Sequence, residues 1–205
     1  MTRSIVTVTT ASDTFDLTTA ATIKEELNIS GKESDSIIRR YIRSESDRIA
    51  TFCNRVFALE TVSEVLRFER RQTSIMLDRI PVTTLTSITE DVTLLDPTLY
   101  ELDSASGLVY RLSDDLNGER TQWAVEKITA VYSGGYQLLG TLPPAIEEAC
   151  ISLVKARWFA RLRDPMLKVR DVDQVVRQEF WVGGVEDGLP DEVKATLMPY
   201  RRINL

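Results

Sequence analysis

The chain contains no histidine. That excludes imidazole as a general acid, a general base or a metal ligand, and with it every Ser–His or Cys–His nucleophile pair. Cysteine is almost as scarce: Cys53 and Cys150 are the only two in 205 residues. Each falls at an apolar position of an expected helix, where a thiol ordinarily behaves as a small buried hydrophobe. Neither a disulfide nor a reactive thiol is expected, which fits a reducing compartment. No apolar run approaches the roughly 20 residues that cross a bilayer. The opening stretch MTRSIVTVTTASDT is too short in apolar residues for a signal peptide. The sequence is therefore read as made and assembled in a cytoplasm, with no membrane partner. Positive charge is in deficit too: 25 Lys and Arg stand against 31 Asp and Glu, a net charge of −6. Nothing draws the whole chain to nucleic acid or anionic lipid, and DNA contact would need a local basic patch. These absences leave room only for an enzyme built on carboxylates, Lys, Tyr or Ser, and no constellation of them stands out for a hydrolase, so no enzyme, cofactor or metal site is expected.

What is present is ordinary for a globular chain, with 43% hydrophobic and 27% charged residues. The length suits one full-sized domain, or one domain carrying a smaller insertion. The clearest helix is LPPAIEEACISLVKARWFARLR, Leu142–Arg163. Pro143 and Pro144 suit a first turn, and Glu147 and Glu148 follow where the helix dipole favours acids. Ile146, Ala149, Cys150, Leu153, Val154, Trp158 and Leu162 recur at the spacing of one buried stripe. A second long helix is expected over Ser34–Phe57, capped by Ser34, with Ile38, Ile42, Ile49, Cys53 and Val56 in its stripe. A shorter one is expected over Leu17–Asn28, with Thr18 as N-cap.

Between Leu59 and Tyr136 helical spacing gives way to short β-rich runs. Asp103–Gly107 reads as a hairpin loop, Asn117-Gly118 as a turn, and Lys127–Tyr132 as a β-branched and aromatic strand. Ser4–Thr10 alternates and is read as an extended arm or a strand. Met166–Phe180 is ambiguous between helix and strand. A last short helix follows Leu189-Pro190, and Pro199–Leu205 is a tail. The expected fold is α+β: a helical bundle with long helices at about 34–57 and 143–163, an inserted small antiparallel β module, and a C-terminal helix plus tail. The expected parts are an N-terminal arm at 1–16, a helical domain at 17–57 and 136–205, and the β module at 58–135.

Four features bear on function. Asp114–Glu119 resembles part of a calcium loop, but strand-like flanks favour a plain turn. Gly134-Gly135-Tyr136 lacks the lysine of a phosphate-binding loop and reads as a turn. Lys155, Arg157, Arg161, Arg163, Lys168 and Arg170 form a basic cluster, open to two readings: contact with DNA phosphates or an acidic partner, or solvated helix-end charge. Phe180, Trp181 and Tyr200 stand beside loops, where aromatic residues serve as interface anchors.

The order of the parts resembles a known family. Leu17–Phe57, ending in Cys53-Asn54-Arg55-Val56-Phe57, is similar to the N-terminal half of the head–tail connector, or adaptor, proteins of tailed bacteriophages, the head completion family. Asp78-Arg79-Ile80-Pro81-Val82-Thr83-Thr84-Leu85-Thr86-Ser87-Ile88 resembles the strand of their inserted β module. Tyr132-Ser133-Gly134-Gly135-Tyr136, followed by Leu142-Pro143-Pro144-Ala145-Ile146, resembles their strand-to-helix junction. Leu189-Pro190 with Leu197-Met198-Pro199-Tyr200-Arg201-Arg202 resembles their closing segment. The resemblance implies a structural, non-catalytic protein of the virion head–tail interface. It implies a homo-oligomeric ring of about 12 copies beneath a portal protein, joined to a downstream tail or stopper protein. Genomic DNA would pass through the ring without sequence-specific contact. A closed ring of head-to-tail contacts needs two different faces on each copy. The Thr-rich N-terminus and the Val185–Leu205 tail are the candidates for them. Leu197, Met198, Tyr200, Arg201, Arg202 and Leu205, with Phe180 and Trp181, are the candidate interface residues. The alternative is a nucleic-acid-binding module using the basic cluster at 155–170.

Overall fold

The computed structural model describes residues 3–114, 118–161, 169–172, 176–179 and 189–202. They belong to two compact units: Met1–Phe15 with Arg55–Leu142, and Asp16–Asn54 with Pro143–Leu205.

The first unit is built from nine strands: β1 (Arg3–Thr10), β2 (Glu60–Arg67), β3 (Ser74–Met76), β4 (Val82–Glu90), β5 (Thr93–Leu94), β6 (Tyr100–Asp103), β7 (Leu108–Leu112), β8 (Arg120–Thr121) and β9 (Lys127–Gly134). One antiparallel sheet runs in the order β1-β2-β9-β4-β5; the other runs β3-β7-β6, with β8 also pairing β7. Alternation decides which side of each strand is buried. On β9, Ile128, Ala130, Tyr132 and Gly134 are buried while Lys127, Thr129, Val131 and Ser133 are half-exposed. A single apolar cluster draws on both sheets, with Val62, Leu66, Ile75, Val109, Trp123 and Tyr132 among its members.

On β2 the same alternation buries two glutamates, Glu60 and Glu64, beside Val62 and Leu66. Buried charge is tolerated only when its oxygens are bonded, and both are. Glu64 Oε2 accepts from the Tyr132 hydroxyl at 2.6 Å and the Asp78 amide at 2.9 Å, and Oε1 accepts from the Ser4 hydroxyl. Glu60 accepts from Arg79 at 2.8 Å. The Tyr132 oxygen also accepts from the Asp78 and Arg79 amides, each at 2.9 Å. The polar cluster thus ties the Asp78–Pro81 loop to the sheet. Gly134 makes that approach possible: a Cβ there would lie 2.1 Å from the Arg79 carbonyl oxygen.

The second unit holds α1 (Ala20–Glu26), α2 (Asp35–Cys53), α3 (Pro144–Ala160), a two-stranded sheet of β10 (Val169–Val172) and β11 (Val176–Glu179), and α4 (Asp191–Leu197). Its core is the stripe Ile38, Tyr41, Ile42, Ile49 and Cys53 of α2 with Ile146, Ala149, Cys150, Leu153 and Val154 of α3. Ile23 of α1 and Val193 and Leu197 of α4 are buried with them. Thr19, not Thr18, caps α1, its hydroxyl accepting from the Thr22 amide at 3.1 Å. Thr18 is buried and donates to Glu147 at 3.0 Å. Ser34 makes no side-chain capping bond.

The expected helical bundle is overturned. The described residues form a mixed helix-and-sheet structure with two sizeable antiparallel sheets and four helices of 7, 19, 17 and 7 residues. The periodicity of α2 and α3 dominates the sequence because their stripes are uninterrupted. The strands are muted by buried glutamates and by threonines on exposed faces. Both long helices also stop early. α2 ends at Asn54, whose φ of 50 places it in the left-handed region that terminates helices. α3 ends at Ala160 rather than Arg163.

Candidate interaction surface

The closing segment is assembled from the C-terminal end of α2 outward. α4 lays Val193 and Leu197 into the core of its unit, and the 3-10 turn Met198–Tyr200 follows at once. The chain then bonds to α2: the Arg202 amide donates to the Cys53 carbonyl at 2.8 Å. A helix leaves its last four carbonyls without partners inside the helix, so the returning segment satisfies one of them. The Arg201 guanidinium lies 5.4 Å from the centre of the Phe52 ring, a cation–π distance. Ser44, Asp47, Arg48, Thr51, Phe52 and Arg201 line an open groove of about 550 Å³. Met198, beside it in sequence, is 58% exposed.

The six candidate interface residues of the closing segment therefore divide. Leu197 is fully buried and belongs to the core. Met198 and Arg201 are exposed, and Tyr200 and Arg202 are half-buried. Leu205, Phe180 and Trp181 lie outside the described residues. Phe52, Asp47 and Arg48 are groove residues that sequence reasoning missed. In the sequence Phe52 only widens the apolar stripe of α2, and nothing there shows that Arg201 returns to it.

The basic cluster is largely engaged within its own unit. Lys155 pairs with Glu26 at 2.7 Å. Arg157 donates to Glu45 and to Ser44, each at 2.8 Å, and lies 4.6 Å from the centre of the Tyr41 ring. Glu45 is buried and also accepts from Arg48 at 3.0 Å. Arg161 stacks 3.4 Å from the centre of the Trp158 ring. Arg163 and Lys168 lie outside the described residues, and Arg170 is described only through the backbone of β10. Of the turn at Asp114–Glu119, residues 115–117 lie outside them too. Among the described residues no three of His, Cys, Asp or Glu gather as a metal site.

Exposed apolar side chains mark further points of the surface. Val92 and Leu94, 92% and 68% exposed, sit at the β4–β5 turn, and Phe159 protrudes from α3. Burial pushes the Cys150 thiol up to about 12, which keeps it protonated near neutral pH.

A sequence model of the head completion proteins matches residues 16–161. No curated protein matches in sequence. Solved structures share the fold over nearly the whole chain. A chain in the neck of an empty gene transfer agent particle, computed with C6 symmetry, superposes with a TM-score of 0.61 at 14% identity, covering 98% of this chain and 97% of that one. A chain in the neck of the native particle, computed with C12 symmetry, gives 0.60 at 16% identity with the same coverage. A chain in the virion of the native particle gives 0.60 at 15% identity, again with the same coverage.

Proposed function

The chain belongs to the head completion protein family, and from that premise we propose that it is a structural connector of the virion, seated at the head–tail interface of a tailed phage or phage-like particle. The family match over residues 16–161 carries this reading. The fold shared with neck chains of gene transfer agent particles supports it from one end of the chain to the other. The role asks for positioning rather than chemistry.

The proposal extends to assembly. The chain forms a homo-oligomeric ring, of about 12 copies by the C12 symmetry of one like-folded neck. The ring docks on a portal protein, receives a tail or stopper protein on its other side, and lets genomic DNA pass. Met198, Arg201 and the Phe52 groove form the portal-facing patch: an exposed apolar side chain beside an arginine held on an aromatic ring is a composition favoured at interface centres. The carboxylate partners of Lys155 and Arg157 count against the nucleic-acid module, because each must give up its cation, and lies close enough to repel, before a phosphate can bind there.

Electron microscopy of the chain with and without its portal tests the reading; a ring seated on the portal is the expected image. Met198→Asp is expected to reduce portal co-sedimentation by about tenfold or more, as loss of an interface anchor does, with the unfolding midpoint unchanged. Undiminished docking would remove the patch from the interface while leaving the connector role in place.

A further inference from the structure

The two edges of the five-stranded sheet are unlike. At one, β5 covers Thr89 and Glu90 of β4, and register irregularities at Val82/Thr84 and Leu85/Ser87 interrupt the rest of that strand. Short cover strands and bulges are devices that keep a sheet edge from taking another strand. At the other edge, β1 pairs with β2 along its length, and no strand pairs with its outer side among the described residues. Ser4–Thr10 contains no charged residue and no proline, and six of its seven residues are β-branched. Ile5 is 62% and Val8 41% exposed. β1 carries one register irregularity against β2, at Val8/Thr10, and its one charged residue is the first, Arg3; the uncovered, β-branched stretch between them is an edge of the kind that recruits a strand.

The same chain carries a hairpin with the opposite lack. β10 and β11 are four residues each and pair only with one another among the described residues. An isolated two-stranded hairpin is marginal in water. The sequences VRDV and VRQE do not alternate apolar with polar. Backbone pairing is what such a hairpin has to offer a partner.

Building on the ring reading above, we propose that the β10–β11 hairpin of one copy adds to the free β1 edge of the next, extending that copy's sheet and forming one of the ring's head-to-tail contacts. Donor and acceptor are different surfaces carried by different compact units, as a heterologous contact requires. Pairing of β1 with the β1 of another copy would be isologous and close a dimer, which builds no ring. Main-chain hydrogen bonds supply the affinity in strand addition, and the alternate side chains supply the register.

Thiol cross-linking in assembled rings tests this, because both native cysteines are buried. Thr7 is exposed on β1. The double variants Thr7→Cys with Arg170→Cys, and Thr7→Cys with Gln178→Cys, place one thiol on the acceptor and one on either donor strand. At least one double variant is expected to oxidise to a ladder of multimers, and an equal mixture of the corresponding single variants to dimers only. Ile5→Lys combined with Val8→Lys, and separately deletion of 169–179, are each expected to cut ring yield about tenfold or more, since an edge charge or a missing strand abolishes the pairing. Rings formed at full yield without 169–179 would overturn the inference and leave the connector reading standing. Self-cross-linking of the Thr7→Cys variant alone would also overturn it, by showing β1–β1 pairing. Absence of rings from the full chain, with and without portal, would defeat the ring reading itself.

Discussion

At the scale of single residues, the polar core of the β unit is where most of the sequence's silence lies. Glu64 is fully buried, yet in the sequence it is one more acid among 31. Only the register of β2 against β9, which places Val65 opposite Thr129 and Glu64 opposite Ala130, brings its carboxylate to the Tyr132 hydroxyl. A pairwise pattern of that kind is set by tertiary structure and leaves no local signal. Cys53 and Cys150 were legible as buried thiols, because they fall in strong helical stripes. Glu64→Ala is expected to cost about 2–3 kcal/mol in urea unfolding, the penalty for stranding buried donors. The titration of Tyr132 and Cys150 gives a second test. Burial first, and for Tyr132 also the Glu64 charge, raises both groups above their ordinary values of 10.0 and 9.0. Above those values the unfolded chain holds fewer protons than the folded one, so stability falls as pH rises. Their contribution is expected to be fully present below about pH 9 and to be lost progressively above it. Tyr132→Phe is expected to flatten the part of that loss above pH 10.0, measured as unfolding midpoint against pH.

At the scale of elements, helices were easier to find than to end. α2 and α3 announce themselves through apolar residues three and four apart. Their ends depend on the single left-handed residue Asn54 and on packing that a periodicity does not encode. Strands were legible singly, Ser4–Thr10 within β1 and Lys127–Tyr132 within β9, but their pairing was not, because alternation names a strand's two faces and not its neighbours. The closing segment shows the cost of reading by position. Leu197 and Met198 look equivalent in the sequence, but the turn of α4 sends one into the core and leaves the other exposed. Leu197→Ala is expected to lower stability by about 3 kcal/mol, the range for a buried leucine truncated in a packed core. Met198→Ala is expected to change it by less than about 0.5 kcal/mol. Chemical unfolding of the two variants checks both values and shows which side chain serves the fold.

At the scale of the whole molecule, the connector role was legible from the order of the parts. The architecture was misjudged as a helical bundle because order says little about how strands pair. A chain of net charge −6, with Lys155 and Arg157 of its basic cluster paired to carboxylates, is expected to bind duplex DNA weakly, with a Kd above about 100 μM even at low salt. Gel-shift titration checks this. Arg157→Ala is expected to leave that result unchanged while costing about 1 kcal/mol of stability, since buried Glu45 loses one of its two partners. The unequal edges of the sheet carry one more consequence. With one edge open and the other obstructed, two sheets meeting by mistake join once and then stop. The error product is a dead-end pair, not a growing fibre, and the pool of free copies stays available for the particle.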